Sequence, residues 1–313
     1  MTHPEIWKAL VKAEQRARSS KWKRLIASPF RYPALMGFNK VIYPLMGRGI
    51  TVTAQPFFGI PMRTLLPSGT DILLNRIKSH DSEIRLSKFF CRQIQQGDII
   101  IDVGAHYGYY SLLASALTGA PGKVYAVEAS AATFPLLQEN TSSIPNITTF
   151  QRAASDTAGE LVFYEYPGPL AEYNTMNRDA YLDQAWYKKT KETINRVRTL
   201  VLDELIQEEK ISKALIKIDA EGGELSILRG GVQLISRDRP IVSFEFGMNS
   251  ARSYNVTPEE MYDFWVQLGF LVIDILGHPL TRETFSQSAV AQKVWDYFAV
   301  PAERTDLPRY LRQ

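Results

Sequence analysis

The residues best suited to chemistry lie in DIIIDVGAHYGYYSLLA, residues 98–114. An apolar strand ends at Asp102, and Gly104 and Gly108 bracket a tight turn that opens a helix. Glycine lets a backbone approach a ligand closely, and a helix start presents N–H groups without intrahelical partners. Twenty residues past Gly108 the next apolar strand ends at Glu128. A carboxylate there is placed to accept hydrogen bonds from both hydroxyls of a ribose.

Two kinds of nucleoside cofactor compete for such a turn. A dinucleotide needs the third glycine of G-x-G-x-x-G, so that its pyrophosphate can sit on the helix end. Here the run from Gly104 is G-A-H-Y-G-Y-Y, with tyrosines where that glycine would stand. Asp102 would repel a pyrophosphate and suits the ammonium of an amino-acid moiety. S-Adenosylmethionine has that amine, a ribose and no phosphate, so the turn favours it. An NAD(P)-dependent oxidoreductase remains the alternative. An amino-group DNA methyltransferase would carry a D/N-P-P-Y/F run, and the sequence has none.

A second constellation is ALIKIDAEGGELSILRGG, residues 214–231. Its strand delivers Asp219 and Glu221 to the carboxyl end, where Gly222-Gly223 turns into a helix. The strand IVSFE that follows ends at Glu245. In open parallel sheets ligands bind in the crevice beyond the strand ends. If these two strands are neighbours, Asp219 and Glu245 converge and become candidate ligands for Mg²⁺, which prefers oxygen donors. Alternatively Asp219 or His106 acts directly as a general base. The plainer roles for Glu221 and Glu224 are a helix cap, or a pair with Lys217 or Arg229. His3, His80 and His278 carry no comparable context.

DVGAHYGYYS, VYAVEAS, RAASD, TLVLDEL, KIDAEGGE and RPIVSFEF occur in the order found in the FkbM family of methyltransferases, which the chain resembles over about residues 90–300. The resemblance implies O-methylation of a sugar, glycan or natural-product hydroxyl. It also implies cofactor contacts at Asp102, Gly104, Ala105, Gly108 and Glu128, with His106, Ala129 and Ala153 beside them and Asp219 near the transfer site. His106 stands where asparagine is common, Ala129 where proline is, and Gly223 where alanine is.

These residues need a sheet to hold them. Strands read at Ile99–Val103, Val124–Glu128, Thr148–Ala153, Leu215–Asp219, Ile241–Phe246, Phe270–Leu276 and Val294–Val300, several as continuous apolar runs. Helical patterns fall between most of them: Tyr109–Leu117, Ala132–Asn140, Gly223–Ser236 and Pro258–Leu268, the last with Thr257 as cap. The expected fold is α/β, a Rossmann-like class I methyltransferase with a seven-stranded, mostly parallel, doubly wound sheet and an N-terminal helical extension. The methyltransferase domain spans 97–303, with an aromatic-rich insert at about 156–213 that reads either as a packed hairpin or as a substrate wall.

Ahead of it, 51–96 forms an extended stretch and a helix carrying Ile84, Leu86, Phe89, Phe90 and Ile94. Residues 1–50 hold ten Lys/Arg against Glu5 and Glu14, about +8 in a chain whose total is +3. Pro29, Pro33 and Pro44 break this segment into helices. It either docks an apolar face on the main domain or meets an anionic partner, a membrane surface ahead of nucleic acid. It could equally assemble a homo-oligomer. No apolar run reaches the roughly 18 residues of a membrane span. Cys91 is the lone cysteine, which excludes intrachain disulfides and a Cys-based zinc site. With no secretory signal evident, a cytoplasmic protein is expected, peripheral to a membrane if the basic segment contacts one.

Overall fold

The computed structural model describes residues 1–206 and 214–304. The end of the expected insert, 207–213, lies outside the described residues.

Strands β1 (Ile50–Ala54) and β2 (Met62–Leu66) form an antiparallel hairpin. The central sheet takes β3 (Ile99–Val103), β4 (Lys123–Glu128) and β5 (Ile147–Gln151) on one side. A short β6 (Ala153–Ala154), then β7 (Glu160–Glu165) and β8 (Thr193–Leu200), make a separate three-stranded sheet. The central sheet resumes with β9 (Ala214–Ile218), β10 (Ile241–Glu245), β11 (Phe270–Asp274) and β12 (Asp296–Pro301). Its order is β11-β12-β10-β9-β3-β4-β5, with only β12 running against its neighbours. This is the expected Rossmann-like α/β sheet.

Alternation along the strands divides the core. Ile100 and Val124 face one layer, with Phe89, Phe90 and Leu112, while Ile101 and Ile216 face the other, with Phe244, Trp265 and Phe285. Because the order reverses beside β3, the carboxyl ends of β3, β4, β9 and β10 surround one crevice, the usual ligand position in such sheets.

Three sequence expectations change in detail. The third strand stops at Gln151, and Ala153–Ala154 leaves the sheet to pair with β8. The helix expected over Gly223–Ser236 is two, Glu224–Arg229 and Val232–Asp238. A Cβ at the intervening Gly230 would lie 2.3 Å from the Ser155 carbonyl oxygen, so the break allows two backbones to touch. The insert forms the β7–β8 hairpin, and its connecting loop carries Tyr166, Tyr173, Tyr181, Trp186 and Tyr187 as one mutually packed ring cluster.

The amino-terminal 50 residues split in two. Helix α1 (His3–Ala17) buries Ile6, Leu10 and Ala13 against α5 (Thr70–Asn75) and α6 (Asp81–Gln93), so the docking reading holds for this helix. Helices α2 (Lys21–Ala27), α3 (Arg31–Gly37) and α4 (Tyr43–Met46) bury little beyond Leu35 and Phe38. Pro29 separates α2 from α3 as expected, but Pro33 and Pro44 lie within helical turns. A wide π turn over Phe38–Ile42 precedes Pro44, which has no N–H to give an α-helical ladder. Among the described residues no helix is long and apolar enough to cross a membrane.

Candidate functional site

A cavity of about 400 Å³ opens at the carboxyl ends of β3, β4, β9 and β10, within the size range of small-molecule sites. Its far walls are β2 with the turn after it, and the loop between β7 and β8.

Gly104, Ala105 and His106 face the cavity from the turn after β3. The turn is drawn tight against the neighbouring strand end: Gly104 has φ +74°, and a Cβ there would fall 1.8 Å from the Asp219 carbonyl oxygen. Gly108 also has positive φ, and it caps helix α7 (Tyr109–Thr118) from behind the cavity wall. His106 is a non-glycine residue at φ +51°, a conformation found mostly where surrounding structure enforces it. Glu128 enforces it. Its Oε2 accepts the His106 N–H at 2.7 Å and its Oε1 the Ser130 N–H at 2.9 Å. Each oxygen keeps a lone pair for a further donor, and Glu128 lines the cavity with Ala129. Ala153 joins them from β6.

Asp102 sits elsewhere than expected. It is fully buried beneath the turn and absent from the cavity wall, so its carboxylate does not stand where it would meet a ligand amine. Alternation along β3 explains this: Asp102, one residue before the strand end, shares a face with Ile100 and points into the layer of α7, where Ser111 meets it. Asp102 Oδ2 accepts from Ser111 Oγ at 2.6 Å, and Lys217 Nζ lies 3.5 Å from Oδ1.

The same ammonium lies 3.2 Å from Asp219 Oδ2. Burial by itself would raise the Asp219 pKa, but the charge of Lys217, a hydrogen bond with Glu245 and the charge of Lys78 outweigh it and hold the carboxyl below its ordinary value. Glu245 behaves oppositely. Burial, then the charges of Asp219, Glu221 and Asp296, drive its pKa well above the ordinary value. Glu221 completes the group at φ +50°, its pKa pushed up to about 8 by burial and by Asp219. Single oxygens of these three carboxyls lie within 4.8 Å of one another.

The plain roles weighed for the neighbours hold in part. Glu224 accepts the Ala220 and Gly222 N–H groups at 3.0 and 3.2 Å and so closes the turn. Arg229 pairs with Glu260, and Glu221 takes the Tyr181 hydroxyl at 2.7 Å. That bond ties the aromatic cluster to the site, and Phe163, Glu172 and Met176 of the insert line the cavity, so the expected hairpin also forms part of the cavity wall.

His106 is a weak base. Burial, then the charge of Lys78, lowers its pKa to about 3, and Nε2 has no hydrogen-bond partner among the described residues. The ring is a neutral hydrogen-bonding group at neutral pH.

Sequence reasoning missed Lys78 and Glu83. They come from the segment ahead of β3 and enter the cavity wall as an ion pair at 2.7 Å. The Lys78 ammonium stands 5.5 Å over the Tyr110 ring, whose hydroxyl donates to Glu83. Neither residue has a neighbouring motif to mark it.

The sequence profile of the Methyltransferase FkbM domain matches residues 102–272, more than half of the chain. The chain belongs to the FkbM methyltransferase family. By its description the family is one of methyltransferases, not of dinucleotide-dependent oxidoreductases. Comparison with curated proteins gives no match. Among solved structures, an FkbM methyltransferase from Methylobacillus flagellatus KT is 14% identical, with 74% of this chain and 60% of that one covered at a TM-score of 0.39. The chain thus spans about three fifths of that relative. A S-adenosylmethionine-dependent O-methyltransferase from Thermotoga maritima is 15% identical, covering 79% and 76% at a TM-score of 0.41. Aeropyrum pernix fibrillarin, solved with S-adenosylmethionine, is 12% identical, covering 66% and 68% at 0.35.

The cavity fits the family's cofactor by its donor set. Glu128 offers carboxylate oxygens for ribose hydroxyls, the Gly104 turn removes side-chain bulk beside it, and the buried His106 Nε2 is unpaired.

Proposed function

We propose that this FkbM chain transfers a methyl group from S-adenosylmethionine to a hydroxyl of a small-molecule or glycan acceptor. The observation that carries the reading is Asp219, its pKa held down and its side chain 39% exposed at the cavity, beside the Lys217 ammonium and hydrogen-bonded with Glu245.

The bound cofactor supplies an electrophilic methyl on a sulfonium. Glu128 holds the ribose end, and the turn at Gly104–His106 shapes the cradle. The protein's main task is alignment, which contributes on the order of 7–11 kcal/mol when two reactants are held in reacting geometry. Asp219 accepts a hydrogen bond from the acceptor hydroxyl and so orients its oxygen. With the cofactor bound, the C–O bond would form as the sulfonium's S–CH₃ bond breaks and S-adenosylhomocysteine leaves. The acceptor oxygen would then carry a proton far more acidic than that of a carboxylic acid, so Asp219, even with its pKa lowered, would be basic enough to take it. Asp102 is a positioning residue in this scheme: it fixes Lys217, and Lys217 fixes Asp219.

A second reading has one specific observation behind it. Asp219, Glu221 and Glu245 form a compact set of hard oxygen donors, the kind a Mg²⁺ ion takes. An ion held there would polarise the acceptor hydroxyl and lower its pKa.

The test is S-adenosylhomocysteine titration by calorimetry, followed by turnover on a panel of hydroxyl acceptors, for wild type and Asp219→Asn. The variant should keep cofactor affinity and lose about 10²–10⁴-fold in turnover. Full activity with intact binding removes Asp219 from the chemistry, and no binding removes the cofactor assignment. Turnover indifferent to EDTA and to added Mg²⁺ rejects the metal reading.

A further inference from the structure

From residue 15 to residue 70 the sequence contains nine Lys/Arg and no Asp or Glu. Three of the nine are tied down: Arg16 to Ser28, Arg18 to Glu14 and Asp81, and Arg63 to Glu139. Lys21, Lys23, Arg31, Lys40 and Arg48 are exposed and form no ion pair among the described residues.

Within it, residues 22–46 present several large apolar side chains to solvent. Trp22 is 75% exposed, Ile26 77%, Phe30 88% and Leu45 83%, with Val41, Ile42 and Met46 also open. Trp22 and Ile26 are four residues apart on α2 and therefore share a face. Helix α1, just before them, shows what docking on the body looks like, since Ile6 and Leu10 are wholly buried. Trp22, Ile26, Phe30 and Leu45 have no such cover among the described residues.

We infer that residues 20–48 bind an anionic phospholipid bilayer: Trp22, Ile26, Phe30 and Leu45 insert at the headgroup boundary and the five unpaired cations meet lipid phosphates. Interfacial segments have this composition, an apolar face for the acyl boundary with Lys/Arg beside it. The charge argues against the other occupants. A symmetric dimer would place this surface against itself and bring like charges together with no carboxylate to separate them. Nucleic acid would use the cations but leave Ile26, Leu45, Val41 and Ile42 without a partner.

The surface adjoins the cavity. Asn39 donates to Thr70 at 2.9 Å, beside the wall residues Gly69 and Asp71, and Tyr43 packs on Gly168 at the start of the turn that carries Glu172. A bilayer held by α2–α4 therefore lies next to the cavity rim, and the acceptor class this suits is an amphiphile borne on the membrane. That last step rests on the acceptor reading of the cavity; the vesicle experiment does not.

The experiment is co-sedimentation of the full chain with phosphatidylcholine vesicles, with and without about one quarter phosphatidylglycerol. Binding should require the anionic lipid and weaken at roughly 0.5 M NaCl. Combined Trp22→Ser, Ile26→Ser, Phe30→Ser and Leu45→Ser should lower partitioning at least about tenfold, and Lys21→Gln with Lys23→Gln about fivefold for each cation removed. Unchanged circular dichroism melting shows that these exposed substitutions leave the fold intact. Absence of binding to anionic vesicles overturns the proposal, as does binding that the four serines leave unaltered. It is equally overturned by a dimer in light scattering that the serines disperse, or by tighter retention of a single-stranded oligonucleotide than of vesicles. Vesicle binding without methyl transfer to any acceptor would uphold the surface and count against the catalytic reading alone.

Discussion

Lys217 sets its ammonium 3.2 Å from Asp219 Oδ2, two residues along the same chain and on the same face of the sheet. Beneath it the buried Asp102 lies 3.5 Å away, so one cation serves a structural carboxylate and a cavity-facing one. Lys217 is itself only 5% exposed, and the charges of Asp219 and Asp102 raise its pKa against the opposing effect of burial.

Removing the cation should therefore do two separable things. Lys217→Met leaves Asp102 buried without its counter-charge, and breaking a buried pair from one side costs about 3–5 kcal/mol. Asp102→Asn added to it should restore much of the stability, because the stranded charge is gone. Turnover should stay low in both, since Asp219 still lacks its neighbour. Urea denaturation and turnover on the two variants check this; recovery of activity by the double variant would break the chain of positioning from Asp102 to Asp219.

Gly104→Ala should abolish cofactor binding. At φ +74° any side chain is strained, and the added methyl carbon would stand 1.8 Å from the Asp219 carbonyl oxygen. Relief requires the ends of β3 and β9 to part, which moves the turn and Asp219 together. S-Adenosylhomocysteine titration reads the loss directly, and unaltered affinity would show that the close approach is dispensable.

Stability should fall on acidification through His106. Its folded pKa is about 3, against 6.5 for the free side chain, chiefly because burial penalises the charged ring. Between those values the unfolded chain binds a proton that the folded chain refuses, so stability rises with pH across that window and is lost as pH drops through it. The slope from one such group approaches about 1.4 kcal/mol per pH unit. His106→Asn, a side chain that tolerates positive φ, should flatten urea-derived stability between about pH 3.5 and 6.5. An unchanged slope would mean that the imidazole is not held neutral.

The sequence by itself determined the sheet and much of the crevice. Continuous apolar runs at Ile99–Val103, Ala214–Ile218 and Ile241–Glu245 carry strand identity locally, and Gly104, Gly108 and Gly222 mark turns that need positive φ. Glu128, Asp219 and Glu245 were legible because the crevice of such a sheet lies beyond its strand ends, although Asp102, one residue short of the end of β3, stays beneath the turn. What tertiary structure decided was which side chains meet. Which cation meets Asp102 depends on its register with Lys217, which no local pattern encodes. Lys78 and Glu83 join the site from a segment that precedes the sheet, and Tyr181 reaches Glu221 across 40 residues. The raised pKa of Glu245 and the lowered pKa of His106 follow chiefly from burial, a property of the packed molecule, and so do the opposite fates of the apolar faces of α1 and α2, both written in the same basic, amphipathic composition.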